Sequence, residues 1–180
     1  ARGLLSRRRG VGSRVTPSHI HRQVGLTSLN DDLQRAGFTT RTDVLGYAVI
    51  LAGGEESAQL ECPVGTELVR ISRLRWSNDE PLSILTNVIP ADIAPSLTEL
   101  TNYGLYHCLR ERGIALASAR QVVGARSAND EEAALLHIDP ADALLTLSRT
   151  AYDSSGRIVE YGDHVYNAAR YTLNFTSSGQ

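Results

Sequence analysis

Methionine is absent from this chain, cysteine occurs twice, and no apolar run reaches the roughly 18 residues that a membrane span requires. Without a methionine the sequence cannot start at a natural initiator, and it is expected to be the back part of a longer protein. Cys62 and Cys108 lack C-x-x-C spacing. That argues against a disulfide framework and a zinc site, and the pair reads as two buried free thiols. There is no charged-then-apolar leader, so the chain reads as cytoplasmic with no membrane partner. Also missing are G-x-S-x-G, H-E-x-x-H, a phosphate loop, a cysteine–histidine signature and a dinucleotide fingerprint. No catalytic residue, metal or cofactor is expected, and ligand binding is favoured over bond-making.

What is present is enough for one sizeable core: 180 residues, 42% of them hydrophobic, imply a single globular domain with appended ends. The net charge of −2 hides an asymmetry. Arg2, Arg7, Arg8, Arg9, Arg14 and Arg22 all precede the first acid, Asp31, while the other twelve basic residues share the rest of the chain with all 20 acidic ones. A basic front on an acidic body is either a solvated end or the edge of a nucleic-acid-binding surface. Residues 1–16 read as a helix end, a short apolar pair, a basic turn with Gly10 and Gly12, and the start of a strand at Val15. An extended connector through Gly25 follows.

The remainder is doubled. At an offset of 76, the spacing from Ser28 to Gly104, Leu29 meets Leu105, Leu33 meets Leu109 and Gly37 meets Gly113. Glu55-Glu56 meets Glu131-Glu132, Ser72-Arg73 meets Ser148-Arg149, and Leu82 meets Ile158, all without a gap. Each unit predicts a short helix stopped by a glycine, a long strand (Thr39–Ala52; Ala115–Ser127), a second short helix and a hairpin. The hairpins run Leu68–Trp76 into Leu82–Ile89 and Leu144–Tyr152 into Ile158–Tyr166. Three strands per unit give a six-stranded, mostly antiparallel sheet with flanking helices, an α+β fold, and Tyr171–Phe175 adds a final strand.

Within the first hairpin Val69, Ile71, Arg73 and Arg75 share one face. A face that is half aliphatic and half cationic makes sense if both guanidinium groups converge on something negative, an internal carboxylate or a bound anion. The alternative is that both are ordinary exposed strand residues. In the second hairpin Ile158, Glu160, Gly162, His164 and Tyr166 share a face, so Glu160 could serve a ligand or an internal salt bridge. His164 reads as an exposed strand residue, with a ligand contact as the alternative. The helices opening at Ser28 and Gly104 offer free backbone N–H groups to an anion, although Ser28 with Asp31 also reads as a plain helix cap. Tyr106, in the first turn of its helix, places a hydroxyl near the same cleft or belongs to the core.

The stretches ISRLRWSNDEPLSILTNVIP, GLYHCLRERG and LSRTAYDSSGRIVEYGDHVYNAARYTLNF resemble the UTRA effector-binding domain of GntR-type transcriptional regulators, the subfamily that includes histidine-utilisation repressors. The opening RGLLSRRRGVGSRVT is similar to the last helix and wing of their winged helix-turn-helix, with Ser13 and Arg14 where a threonine and an aromatic are usual. The resemblance covers essentially the whole chain. It implies a chorismate-lyase-like sheet in a homodimer, where a small anionic effector (organic acid, amino-acid derivative or phosphorylated metabolite) controls DNA binding by an N-terminal domain. It also implies a division into a winged helix-turn-helix remnant of last helix and wing (1–16), a linker (17–25), a sensing domain (26–176) and a frayed end (177–180). Carried over by motif position, the ligand contacts are Ser28, Arg73, Arg75, Leu85, Gly104, Tyr106, Glu160 and Tyr166, and the DNA contacts are Arg7, Arg8, Arg9 and Gly10. Leu85 and Gly104 stand where sugar-phosphate sensors carry a glutamate and a serine. That departure argues for a smaller or less hydroxylated anion. A lyase on the same scaffold is the competing expectation.

Overall fold

The computed structural model describes residues 5–8, 11–15, 19–23 and 29–176. Two short strands open it, β1 (Leu5–Arg8) and β2 (Val11–Val15), paired antiparallel with Leu5 opposite Val15 and Arg8 opposite Val11. Gly12 therefore lies inside a strand and not in the turn expected for it; the expected helix end and Gly10 fall outside the described residues. The connector contains a strand, β3 (Ile20–Gln23). The sequence then runs α1 (Leu29–Arg35), β4 (Thr40–Leu51), α2 (Gly54–Leu60), β5 (Glu67–Ser77), β6 (Glu80–Pro90), α3 (Leu97–Asn102) and α4 (Leu105–Glu111). It continues with β7 (Leu116–Ser127), α5 (Asp130–Leu136), β8 (Ala143–Asp153), β9 (Ile158–Asn167) and β10 (Tyr171–Asn174).

β4 to β9 form one six-stranded sheet in the order β4-β5-β6-β9-β8-β7, antiparallel at every junction. Exchanging β4–β6 with β7–β9 leaves that order unchanged, so the doubled sequence becomes a pseudo-twofold sheet whose centre is the β6–β9 pair. The offset of 76 holds from β5 to β8, where Arg73 corresponds to Arg149. It becomes 77 on the return strands, where Leu85 corresponds to Gly162. The gap-free pairing of Leu82 with Ile158 is therefore corrected. The first hairpin turns through two left-handed residues, Asn78 and Asp79, at φ 50° and 64°, whereas the second turns through three residues of which only the last, Gly156 at φ 84°, is left-handed. A two-residue turn needs two left-handed positions, and a three-residue turn concentrates that requirement in one glycine.

The short helices are held by their ends. Gly37 and Gly113 leave α1 and α4 at φ 86° and 76°, as their spacing predicts. α3 is an addition to the predicted elements, although its start is written in the sequence: Ser96 and Glu99 form a reciprocal capping box, with the Ser96 N–H donating to Glu99 Oε2 at 2.8 Å. Arg112 donates to the same carboxylate at 2.7 Å, and these bonds hold the Glu99 carboxyl down at about 2.

Each face of the sheet carries its own core. Val69, Ile71 and Ile89 pack with Leu100 of α3 and Leu105 and Leu109 of α4 on one face. On the same side Leu29 and Leu33 of α1, Ile20 and Tyr171 pack against Leu85, Leu147 and Tyr166. On the other face Leu60 of α2 and Leu136 of α5 cover Leu68 and Leu74 respectively. β3 and β10 pair in parallel, Ile20 beside Tyr171 and Arg22 beside Leu173. The connector is thus stitched into the domain by a strand some 150 residues downstream. Among the described residues no helix is long and apolar enough to cross a membrane.

Candidate functional site

Strand alternation on β5 sends Val69 and Ile71 into the core, and it sends Arg73 and Arg75 into a cavity further along the same face. This half-open cavity spans about 420 Å³ of atom-free space, the solvent at its mouth included. Four arginines line it from three segments: Arg22 on β3, Arg73 and Arg75 on β5, and Arg149 on β8. All four are buried, between 3% and 5% exposed, which excludes ordinary exposed strand residues. Leu29, Leu85 and Leu105 supply apolar wall, and Asn30, Asn87, Tyr106, His164 and Tyr166 supply polar groups.

Glu160 organises the floor. Fully buried on β9, it accepts hydrogen bonds from the Tyr106 hydroxyl at 2.9 Å and from Asn87 Nδ2. Asn87 in turn accepts from Arg73 Nη2 through Oδ1, and Tyr106 accepts from Arg149 Nη1 at 2.6 Å. One carboxylate is therefore shared by two guanidinium groups through neutral intermediaries. Arg149 also donates to Gln121 Oε1 at 3.0 Å, Arg75 to Asn30 Oδ1 at 2.8 Å, and Arg22 to Asp32 Oδ2 at 2.8 Å. Gly162 makes the floor possible: a Cβ there would lie 2.6 Å from Glu160 Oε1 and 2.7 Å from His164 Nε2.

With Asn87 Oδ1 committed to Arg73, its amide group faces Glu160 and, at 3.2 Å, His164 Nε2. The imidazole nitrogen must then accept, so His164 is neutral. Burial, followed by repulsion from Arg149, Arg73 and Arg22, holds its pKa well below the usual 6.5. Burial also pulls the Arg73 guanidinium down, with Glu160 opposing, and pushes the Glu160 carboxyl up, with Arg149 the strongest opposing pull. Such costs are borne where charges serve a function.

Arg73, Arg75, Leu85, Tyr106 and Tyr166 line the cavity, and Glu160 lies beneath it. Gly104, the residue before α4, lines an adjoining cleft that shares Asn30 and Arg75 with the cavity. Ser28, Arg9 and Gly10 lie outside the described residues; Arg7 and Arg8 sit in β1, and their side chains are not described. His164 is not the exposed strand residue it was expected to be: it shares the inward face with Glu160 and is 7% exposed. Sequence reasoning missed Arg149, Arg22, Asn87 and Asn30. Arg149 was signalled by the repeat, being the counterpart of Arg73, and Asn87 by its parity with Leu85. Arg22 carried no such signal, since only the β3–β10 pairing places it.

A buried cationic cavity within an antiparallel sheet defines a ligand-sensing domain. Residues 35–172 match the UTRA domain, and the chain belongs to that family. It is 32% identical over 174 residues to the HTH-type transcriptional repressor NagR of Bacillus subtilis, covering 95% of this chain and 72% of that protein. It is 24% identical to the HTH-type transcriptional repressor PhnF of Mycolicibacterium smegmatis, spanning 69% of its length. The fold superposes on the PhnF effector domain with a TM-score of 0.83 at 22% identity, over 89% of this chain and all of that one. A putative transcriptional regulator from Streptomyces coelicolor matches at 40% identity and a TM-score of 0.70, covering 75% and 91%. These relatives are transcriptional regulators, and they give no support to the lyase alternative.

Proposed function

We propose that this domain senses a small anionic metabolite in the arginine-lined cavity and thereby controls operator binding by a helix-turn-helix domain in a cytoplasmic homodimer. The observation that carries the reading is the lining: four arginines and, among the described residues, no acid. Desolvated guanidinium groups are costly to hold together, and an anion that neutralises them is correspondingly favoured. The route of coupling is β3, which follows the β1–β2 hairpin and also carries Arg22 into the cavity. We take 1–16 as a remnant of the helix-turn-helix domain (its last helix and wing), 17–25 as the linker and 26–176 as the sensing domain; the end expected at 177–180 lies outside the described residues. A ligand that draws on Arg22 moves the linker itself, and couplings of about 1–3 kcal/mol suffice for regulation. The sheet edges β4 and β7, with Val49 64% and Val122 56% exposed, are the surfaces suited to self-association.

The test is a thermal-shift panel of phosphorylated sugars, amino-acid catabolites and organic acids on the chain and on its Arg73→Ala and Arg75→Ala variants. An anion at a hundredfold its Kd adds about 2.7 kcal/mol of stability. At least one should shift the wild-type melt, fail to shift either variant, and be recovered unchanged. A panel that leaves a folded wild-type chain unshifted overturns the reading.

A further inference from the structure

We infer that the effector is a small dianion whose two acidic groups bind apart, one against Arg73 and Arg75 of β5, the other against Arg149 of β8 and Arg22 of β3, astride Glu160. The inference rests on the reading of the cavity as an anion site and goes further, to the ligand's charge pattern.

Arg73 and Arg149 are counterparts in the pseudo-twofold sheet, separated by β6 and β9. Three strand spacings of about 4.8 Å divide their backbones, so the two guanidinium groups enter the cavity from opposite sides. Each is more than nine-tenths buried, and among the described residues the Nε of each has no hydrogen-bond partner. A charged donor left in this state is costly, and an incoming acceptor relieves the cost.

Glu160 decides how many acceptors there are. Its carboxyl lies between the two arginines and is bonded toward one through Asn87 and toward the other through Tyr106. A single anionic group at the centre would sit over this carboxyl and be repelled, so the positive potential is left at the two flanks. His164 accepts from Asn87 and adds no third charge to the middle. The wall between the flanks includes Leu85 on β6, faced by Leu29 and Leu105. A short hydrocarbon spacer suits that wall, whereas a polyhydroxylated one would leave hydroxyls unpaired. Dicarboxylates and phosphorylated or phosphonylated carboxylic acids share the required chemistry.

Calorimetric titration of the chain with chain-length-matched pairs tests this: succinate against butyrate, glutarate against valerate, adipate against hexanoate, with 3-phosphonopropionate as a separate arm. At least one diacid should bind on the order of tenfold or more tighter than its monoacid partner, because the second contact is made intramolecularly. Arg149→Gln and Arg73→Gln should each erase that advantage, bringing diacid and monoacid within about twofold. A tighter phosphonocarboxylate identifies the phosphorylated class; a tighter dicarboxylate identifies the other. Equal affinities within every pair, with monoacids binding, would sink the dianion inference and leave the anion-sensor reading standing. Failure of every anion to bind a chain that is folded by circular dichroism would remove both.

Discussion

The two halves of the sheet share a scaffold and differ in what they put on it. Leu33 and Leu109 are counterparts and both are buried, and Glu61 and His137, also counterparts, both end their helices in the left-handed region, at φ 49° and 55°. At the cavity the likeness is only partial: Arg73 and its counterpart Arg149 both line it, but the positions around them diverge. Arg75 corresponds to Ala151, Asn87 to His164, Leu85 to Gly162, and Ser83 to Glu160. Each half supplies an arginine, Arg73 and Arg149; the first adds Arg75, and the second supplies Glu160 beneath the cavity and the glycine that makes room for it. Duplication gives the frame, and departures from it give a site that can distinguish one end of a ligand from the other.

The comparison can be broken first at its scaffold. Leu33→Ala and Leu109→Ala should each cost about 2–5 kcal/mol in denaturant unfolding, and by similar amounts if the halves are equivalent. A cost confined to one of them would show that the cores differ despite their alignment. Next comes Gly162→Ala, which forces a methyl against Glu160 and His164 and should cost about 1–3 kcal/mol while weakening anion binding. Unchanged stability and unchanged binding would mean that the floor rearranges freely.

A smaller effect separates His164 from Asn87. His164 has a depressed folded-state pKa, so the unfolded chain takes up a proton that the folded chain refuses once the pH drops below the usual 6.5. Stability should therefore fall with pH there, at up to about 1.4 kcal/mol per pH unit, and His164→Gln should flatten that slope. Glu160, with its raised pKa, acts in the opposite sense, gaining stability as the pH falls. Comparing wild type with His164→Gln at pH 7.5 and 5.5 isolates the histidine, and parallel slopes would contradict its neutrality. The smallest change is expected at Ser83, the counterpart of Glu160. Among the described residues its buried hydroxyl has no hydrogen-bond partner, so Ser83→Ala should leave stability within about 0.5 kcal/mol. A loss above 1 kcal/mol would reveal a partner for that hydroxyl.

Local periodicity, by itself, determined the six strands, the two hairpins, the glycine stops at Gly37 and Gly113 and the shared face of Arg73 and Arg75. Side-chain alternation and turn chemistry act over a few residues, and both are written in order along the chain. The repeat also held a signal for Arg149, the counterpart of an arginine already singled out, although that signal was not read as a site residue. Only the tertiary structure decided that Arg22 reaches the cavity, because a parallel pairing with a strand some 150 residues away puts it there. It also decided that one extra turn residue moves the second return strand by one position, which aligns Glu160 with Ser83 and His164 with Asn87. Which counterparts face one another across a pseudo-axis depends on register, and register is settled when strands pair. The burial of His164 and the sharing of Glu160 by two arginines follow from that pairing, because only in the assembled sheet is water excluded from between them.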